Sequence, residues 1–173
     1  MKQIKLFLYC FLLTPLVCMA QESNFSKDIK DYLEHNGTMR QYEYAYDQLM
    51  IMMEGNYPKS EDNKQGWTYL EENRGKALEE MKSLMVPIYQ ENFTHEEIKQ
   101  MGAFYKTEAG VLLITDRSKM TDIHKEELNT FYNSVVGQKI ISKKEVLISE
   151  ISKVSESWSR QLYETSLRLL QNG

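Results

Sequence analysis

The spacing of the apolar residues is the feature that most constrains the fold of this chain. After residue 20, apolar side chains recur every three or four residues along nearly the whole sequence, strand-like alternation is absent, and only Pro58 and Pro87 interrupt the pattern. Such a period places apolar side chains on one face of an α-helix. The sequence therefore predicts an all-α fold, a single helical bundle with two repeated capped helical hairpins and a long C-terminal helix.

The first twenty residues differ from the rest. Lys2 and Lys5 precede an apolar run from Leu6 to Leu13, and the segment ends at the small residue Ala20. This order is typical of a secretory signal peptide, and the apolar run is shorter than the roughly 20 residues that a membrane-spanning helix needs. We expect residues 1–20 to be removed, leaving an exported, periplasmic all-helical domain over 21–173 without a transmembrane segment. That domain divides into N-terminal helices (21–92) and a repeat region with its closing helix (93–173).

Cysteine placement and charge narrow the function further. Cys10 and Cys18 both lie in the leader, so we expect no disulfide and no thiolate chemistry in the exported domain. Lipid attachment at Cys18 is disfavoured, because Pro15 and Val17 stand where such signals have leucine and a small residue. The formal net charge is −4, and loss of the leader's lysines makes the chain more acidic. An acidic chain of this kind is not expected to bind nucleic acid.

Helix boundaries follow from caps and glycines. In the N-terminal region we predict a helix over 26–35 ended by Gly37, and a second over 39–54 that is capped by Thr38 and ended by Gly55. A third helical stretch is expected to kink or end at Pro87. The last helix is predicted over 143–170, with Trp158 on its apolar face.

The clearest helix start lies at Phe93-Thr94, where Thr94 and Glu97 have the spacing of a capping box and Phe93 can pack on Ile98. From there a 27-residue repeat relates the segments that begin at Thr94 and Thr121. Each copy indicates a capped helix that closes in a Phe-Tyr pair, a second cap, and a new helix with an early glycine; chance similarity between amphipathic helices is the alternative. The aligned positions are Phe104-Tyr105 with Phe131-Tyr132, Thr107 with Ser134, and Gly110 with Gly137.

Several of these motifs, in this order, resemble a bacterial family called domain of unknown function 2059. The resemblance covers about residues 81–161, and the chain departs from the family pattern at Glu108 and Val135, where proline is usual. It implies a secreted, usually periplasmic, all-helical protein with no established activity or catalytic residues. The motifs that carry it are Val86-Pro87-Ile88-Tyr89, Phe93-Thr94-His95-Glu96-Glu97, Phe104 to Gly110, Phe131 to Lys139, and the late Trp158.

No catalytic, metal or cofactor site is assigned. The segment from His95 to Lys99 begins like the zinc-protease helix motif, but its fifth position is Lys99 where a second histidine is required. Glycine-rich nucleotide loops and a nucleophile elbow are absent from the sequence. The many glutamates leave a carboxylate-based hydrolase as an alternative.

A binding role is the preferred interpretation, through a cleft between helices for an unknown protein partner or apolar ligand. One candidate surface is an aromatic and methionine-rich helix, for which a central core helix is the alternative. A second is a cleft shaped by the tyrosines and glycines of the two repeats, and a homodimeric structural or stress-related factor is a further alternative. The candidate binding residues are Tyr42, Tyr46, Met50, Met53, Tyr105, Tyr132, Gly110 and Gly137; Phe93, Thr94, Glu97, Phe104, Phe131 and Trp158 are predicted to be structural.

Overall fold

The computed structural model describes residues 24–171, and these form eight α-helices and one short 3-10 turn without a strand among them. The all-α prediction is confirmed. The predictions on the leader, including its cysteines, concern residues that lie outside the described range. The helices are α1 (residues 24–35), α2 (Thr38–Asn56), α3 (Lys64–Glu72), α4 (Arg74–Asn92), α5 (His95–Tyr105), α6 (Glu108–Thr115), α7 (Asp122–Asn133) and α8 (Val135–Gln171), with the 3-10 turn at Arg117–Lys119.

Helix α8 is the longest element, with 37 residues, and it packs against α2, α3, α4, α5 and α7. The sequence predicted a short helix after Ser134 and a separate closing helix from residue 143. The two are one helix, because no proline or glycine interrupts the chain between Gly137 and Gln171. The second hairpin arm is therefore the first part of the closing helix.

The predicted helix ends at Pro87 and Gly55 are wrong, whereas a kink at Pro87 stays a prediction. Pro87 lies inside α4, and Gly55 lies inside α2, which ends one residue later at Asn56. Pro87 and Ser83 are both exposed, so water can bind the Ser83 carbonyl that loses its helical partner. Gly55 keeps helical geometry, since Gly37 is the only described residue with positive φ, at 82°. Among the described helix ends, only the one at Gly37 uses a left-handed residue, a conformation that glycine adopts without steric cost.

The start of α2 also differs from its prediction. Thr38 is the first helical residue and makes no side-chain cap. The preceding Asn36 takes that role, because its side-chain oxygen accepts a hydrogen bond from the Thr38 N–H at 2.9 Å. Asparagine is among the best residues for such local bonding at turns.

The core has two parts. The main cluster joins one face of α1, α2, α4, α5 and α8, and the long side chains of Met81, Met85 and Met101 fill it. A smaller cluster of Met53, Trp67, Leu70 and Leu170 closes the end where α2, α3 and α8 meet. Helix α4 lies at the centre and contacts α2, α3 and α8.

The two predicted repeat copies have matching local contacts. Thr94 and Thr121 each form a capping box, with Glu97 and with His124 as the reciprocal partner. The rings of Phe104 and Phe131 stack with centroids 4.0 Å apart and planes 3° apart. The N–H groups of the early glycines donate to Thr107 and Ser134 respectively, each at 3.2 Å.

Gly110 and Gly137 are required by close backbone approach. A Cβ on Gly110 would collide with the carbonyl oxygen of Phe104 and lie 2.6 Å from Tyr105 Cα, and a Cβ on Gly137 meets the same two atoms of Phe131 and Tyr132. We expect Gly110→Ala to lower the free energy of unfolding by about 1–3 kcal/mol, because backbone must shift to admit the methyl group. Urea unfolding followed by far-UV circular dichroism measures the change.

Gly75→Ala is the matched control. Nothing lies within 4 Å of a Cβ at Gly75, which is in α4, so alanine should raise the free energy of unfolding by up to about 1 kcal/mol through helix propensity. Equal unfolding midpoints for Gly110→Ala and the wild type would contradict the close-approach assignment.

Candidate functional site

The predicted binding residues fall into three environments: a polar cleft, an apolar groove and the core. Tyr105 and Tyr132 line the cleft, whereas Tyr42 lines the groove. Tyr46 and Met53 are 2% and 0% exposed and belong to the core clusters, and Met50 is half-buried against both clusters. The sequence pattern therefore brings together no single site, because the methionine-rich face of α2 turns inward.

The tyrosine cleft lies between the α1–α2 turn, α6 and the start of the 3-10 turn, and has a volume of about 600 Å³. The hydroxyl oxygens of Tyr105 and Tyr132 are 3.5 Å apart, the outer limit of a hydrogen bond. Neither glycine of the repeats lines this cleft. The lining residues are Asn36, Gly37, Arg40, Gln41, Tyr105, Leu113, Ile114, Thr115, Arg117 and Tyr132.

The hydroxyl of Tyr105 stays protonated at neutral pH. Burial raises its pKa well above the ordinary tyrosine value, and Tyr32 and Tyr132 raise it further, while Arg117 opposes the shift. The group is therefore a hydrogen-bond donor as well as an acceptor. Its ring packs edge-on against Tyr32, with centroids 5.8 Å apart.

The apolar groove has a volume of about 500 Å³ and runs between α8 and the inward face of α1, α2 and α4. Tyr32 and Tyr89 are buried at its base, and burial raises the pKa of both hydroxyls above the ordinary value. The Tyr42 hydroxyl lies 2.6 Å from Ser155 Oγ and fixes one wall. On α8, Ile148 is 51% exposed and forms the rim. The lining residues are Tyr32, Tyr42, Tyr89, Ile140, Lys144, Leu147, Ile148, Ile151, Ser152 and Ser155.

Tyr46 anchors α2 to α3 through its hydroxyl. This group donates to the Leu70 carbonyl at 2.7 Å, and the Arg74 guanidinium lies 5.8 Å from the Tyr46 ring centroid. Tyr46 also borders a cavity of about 340 Å³ beside Trp158. Trp158 is buried and its indole N–H donates to the Ala77 carbonyl at 3.0 Å, so α8 is tied to α4 at this point.

Lys139 contacts two of the predicted structural residues, a role that the sequence analysis did not assign to it. Its ammonium donates to both carboxylate oxygens of Glu97, at 2.9 and 2.7 Å, and lies 5.6 Å from the Phe93 ring centroid. Thr94 completes the capping box with Glu97. The motif Gln138-Lys139 marked this lysine in the sequence, but only the packing of α8 on α5 shows its partner.

The histidines and glutamates singled out in the sequence are engaged in structural contacts. His95 Nε2 lies 2.6 Å from Asp28, and His124 serves the second capping box. Lys30 and Lys82 hold the pKa of Glu79 below its ordinary value. A hydrolase general acid needs a raised carboxyl pKa, so the direction at Glu79 does not suit that role, and the hydrolase alternative stays a prediction. Within the described residues, no group of three His, Cys, Asp or Glu side chains is arranged to hold a metal ion.

A family model described as an uncharacterised protein conserved in bacteria, domain of unknown function 2059, matches residues 79–122. The predicted resemblance is confirmed over this range, which runs from α4 to the start of α7; the second Phe-Tyr pair and Trp158 lie beyond it. Comparison with curated proteins gives no match, and neither does comparison with solved structures. None of the helices between residues 24 and 171 is long and apolar enough to cross a membrane.

The Lys139–Glu97 pair predicts a pH-dependent contribution to stability. Burial acts to raise the pKa of Glu97, but the bonds from Lys139 and Thr94 outweigh it and hold the pKa below the ordinary value. A carboxyl group whose pKa is lowered by folding stabilises the folded state at pH values above its ordinary pKa. This stabilisation is lost as the pH falls through the lower pKa of the folded state. We expect Lys139→Met to lower the free energy of unfolding by about 1 kcal/mol at pH 7. Near pH 3, the difference between the variant and the wild type should be smaller.

Lys125→Met is the control for this measurement. Lys125 pairs with Asp122 at 2.9 Å on the same type of helix start, but both side chains are largely exposed, so we expect no measurable change. Urea titrations at several pH values measure both variants. A loss for Lys139→Met that is the same at pH 7 and pH 3 would contradict the ion-pair assignment.

Proposed function

We propose that this chain is an exported bacterial protein that acts without catalysis, by binding an apolar ligand in the apolar groove. The observation that carries the proposal is the groove itself, a space of about 500 Å³ whose lining includes exposed Ile148 and the buried residues Tyr32 and Tyr89. Ligand sites in proteins are mostly apolar clefts of about 300–1,000 Å³.

The polar groups of the groove suit a ligand with a chain-like body and one polar end. Lys144 and Ser152 lie among the lining residues on α8, together with the Tyr42–Ser155 pair. No carboxylate lines the groove. The ammonium of Lys144 favours an anionic head group, such as that of a fatty acid, while the isoleucines contact the chain.

A homodimer is the second candidate, and one surface favours it. Tyr44, Ile51 and Met52 are 66%, 63% and 45% exposed on the outer face of α2. Burying these side chains against a second copy would remove apolar area from water, which is the main driving force of most protein association.

Export is the remaining part of the proposal. It is supported by the charged, apolar and small-residue order of the first twenty residues and by the resemblance to a family whose members are usually secreted. The hydrolase reading receives less support, since Glu79 and Glu97 both have lowered pKa values and cationic partners.

Ile148→Asp tests the groove. A carboxylate at this position would be desolvated by an apolar ligand and would repel its anionic end, so we expect at least tenfold weaker binding of the fluorescent fatty acid cis-parinaric acid. Val146→Asp is the matched control, because Val146 is 43% exposed on the same helix and does not line the groove. Equal affinities of the two variants, or no binding by the wild-type protein, would overturn the groove assignment.

Native mass spectrometry of the protein purified from the periplasm without denaturant tests export and stoichiometry together. We expect a chain that begins at Gln21 and carries an added mass that is lost on unfolding. Absence of the protein from the periplasmic fraction would contradict export, and an uncleaved chain in that fraction would contradict removal of residues 1–20. A dimer without added mass would favour the second candidate, and Ile51→Asp should then yield monomers.

A further inference from the structure

The tyrosine cleft differs from the apolar groove in its charge. Arg40 and Arg117 both line it, and no carboxylate does. Neither arginine forms an ion pair with a described carboxylate, whereas Arg74 binds Asp47 at 2.9 Å and Arg160 binds Glu156. In a chain that has 25 acidic and 21 basic residues, these two arginines thus share a cavity that no carboxylate lines.

Neither of the carboxylates nearest in sequence forms an ion pair with an arginine of the cleft. Asp116 accepts hydrogen bonds from Ser118, at 3.1 Å to its N–H, and lies 3.2 Å from the Lys119 ammonium. Glu43, one turn beyond Arg40, acts electrostatically on Arg74. Among the described residues, no salt bridge therefore neutralises Arg40 or Arg117.

The position of Arg117 is set by the backbone. Its Nε donates to the Leu113 carbonyl at 2.9 Å, at the end of α6. This bond orients the guanidinium and uses one of its five N–H donors, so the terminal nitrogens remain for a ligand. Arg40 lies in the first turn of α2, where the helix dipole adds partial positive charge and no acidic residue is present.

The rest of the cleft supplies donors and a small apolar wall. The Tyr105 hydroxyl is protonated at neutral pH and, 3.5 Å from Tyr132, keeps capacity for another partner. The side chain of Gln41 offers an amide, and Leu113 and Ile114 are half-buried on the opposite wall. Such a lining suits an oxyanion that carries a compact organic group.

We propose that the tyrosine cleft binds a small organic anion whose carboxylate or phosphate group lies between Arg40 and Arg117 and whose body contacts Leu113, Ile114 and the tyrosine rings. Guanidinium groups bind both kinds of oxyanion through paired hydrogen bonds. The site is separate from the apolar groove and does not depend on a ligand there.

The test is isothermal titration of the mature protein with benzoate, phenyl phosphate and inorganic phosphate. We expect one of the two aromatic anions to bind, more tightly than inorganic phosphate and less tightly as salt is raised. Preference between benzoate and phenyl phosphate identifies the head group. Arg40→Gln should weaken binding at least tenfold, and Arg117→Gln should do the same.

Arg160→Gln is the matched control, since it removes an exposed arginine that is not in the cleft; its affinity should stay within twofold of the wild type. The Arg40 side chain makes no hydrogen bond or ion pair with a described residue, so the Arg40→Gln variant is expected to fold normally, and a thermal melt checks this. Wild-type protein that binds neither aromatic anion at millimolar concentration, or an Arg40→Gln variant with unchanged affinity, would overturn the proposal. If inorganic phosphate binds as tightly as phenyl phosphate, the proposal that the ligand carries an organic group is wrong.

Discussion

The close backbone approach at Gly110 and Gly137 is the constraint on which the rest of this fold depends. Each glycine lets a helix start against the carbonyl oxygen of the phenylalanine six residues earlier, so the chain turns sharply after each Phe-Tyr pair. The two turns are alike. Phe104 and Phe131 stack face to face, and the hydroxyl oxygens of the neighbouring tyrosines, Tyr105 and Tyr132, are 3.5 Å apart. Helix α6 contacts both α5 and α7, which carry the stacked rings, and it supplies one wall of the tyrosine cleft. A residue with a Cβ at either glycine would therefore change the cleft as well as the stability.

Local signals predicted much of this architecture. The capping box at Thr94, the left-handed turn at Gly37 and the core position of Trp158 all depend on residues close together in sequence, and all three are present in the structure. The predictions fail where a local signal is weak against packing. Pro87 was expected to kink or end a helix, but it does not end α4; it lies on the exposed face of this helix, whose other face packs in the main core. The cap at Ser134 indicated a short helix, but nothing downstream ends it before Gln171.

The sites were harder to predict, because two charged residues that are far apart in the sequence produce no spacing pattern that would reveal their contact. Lys139 and Glu97 are 42 positions apart, and only the packing of α8 on α5 joins them. The same holds for Arg40 and Arg117, which no spacing rule relates. In α2 the sequence predicted one apolar stripe that includes Met39, Tyr46 and Met53, but the end of the helix is apolar nearly all round. Packing on α4 and α8 buries Met39, Tyr46 and Met53 and leaves Tyr44 and Ile51 outside. The exposed face of α2 is therefore not the one that carries Met50 and Met53, which the sequence analysis proposed as a binding surface.

The apolar groove and the tyrosine cleft share a wall of aromatic rings. Tyr32 lies in the groove and Tyr105 in the cleft, and their rings meet edge to edge with centroids 5.8 Å apart. Tyr32 also packs against Tyr89 at 5.6 Å. The two pockets therefore meet at one edge-to-face pair of rings, a contact that stabilises the core between them. Both carry positive charge, but they differ in its amount and setting: the groove has the single cation Lys144 among apolar side chains, whereas the cleft has Arg40 and Arg117 beside the tyrosine hydroxyls.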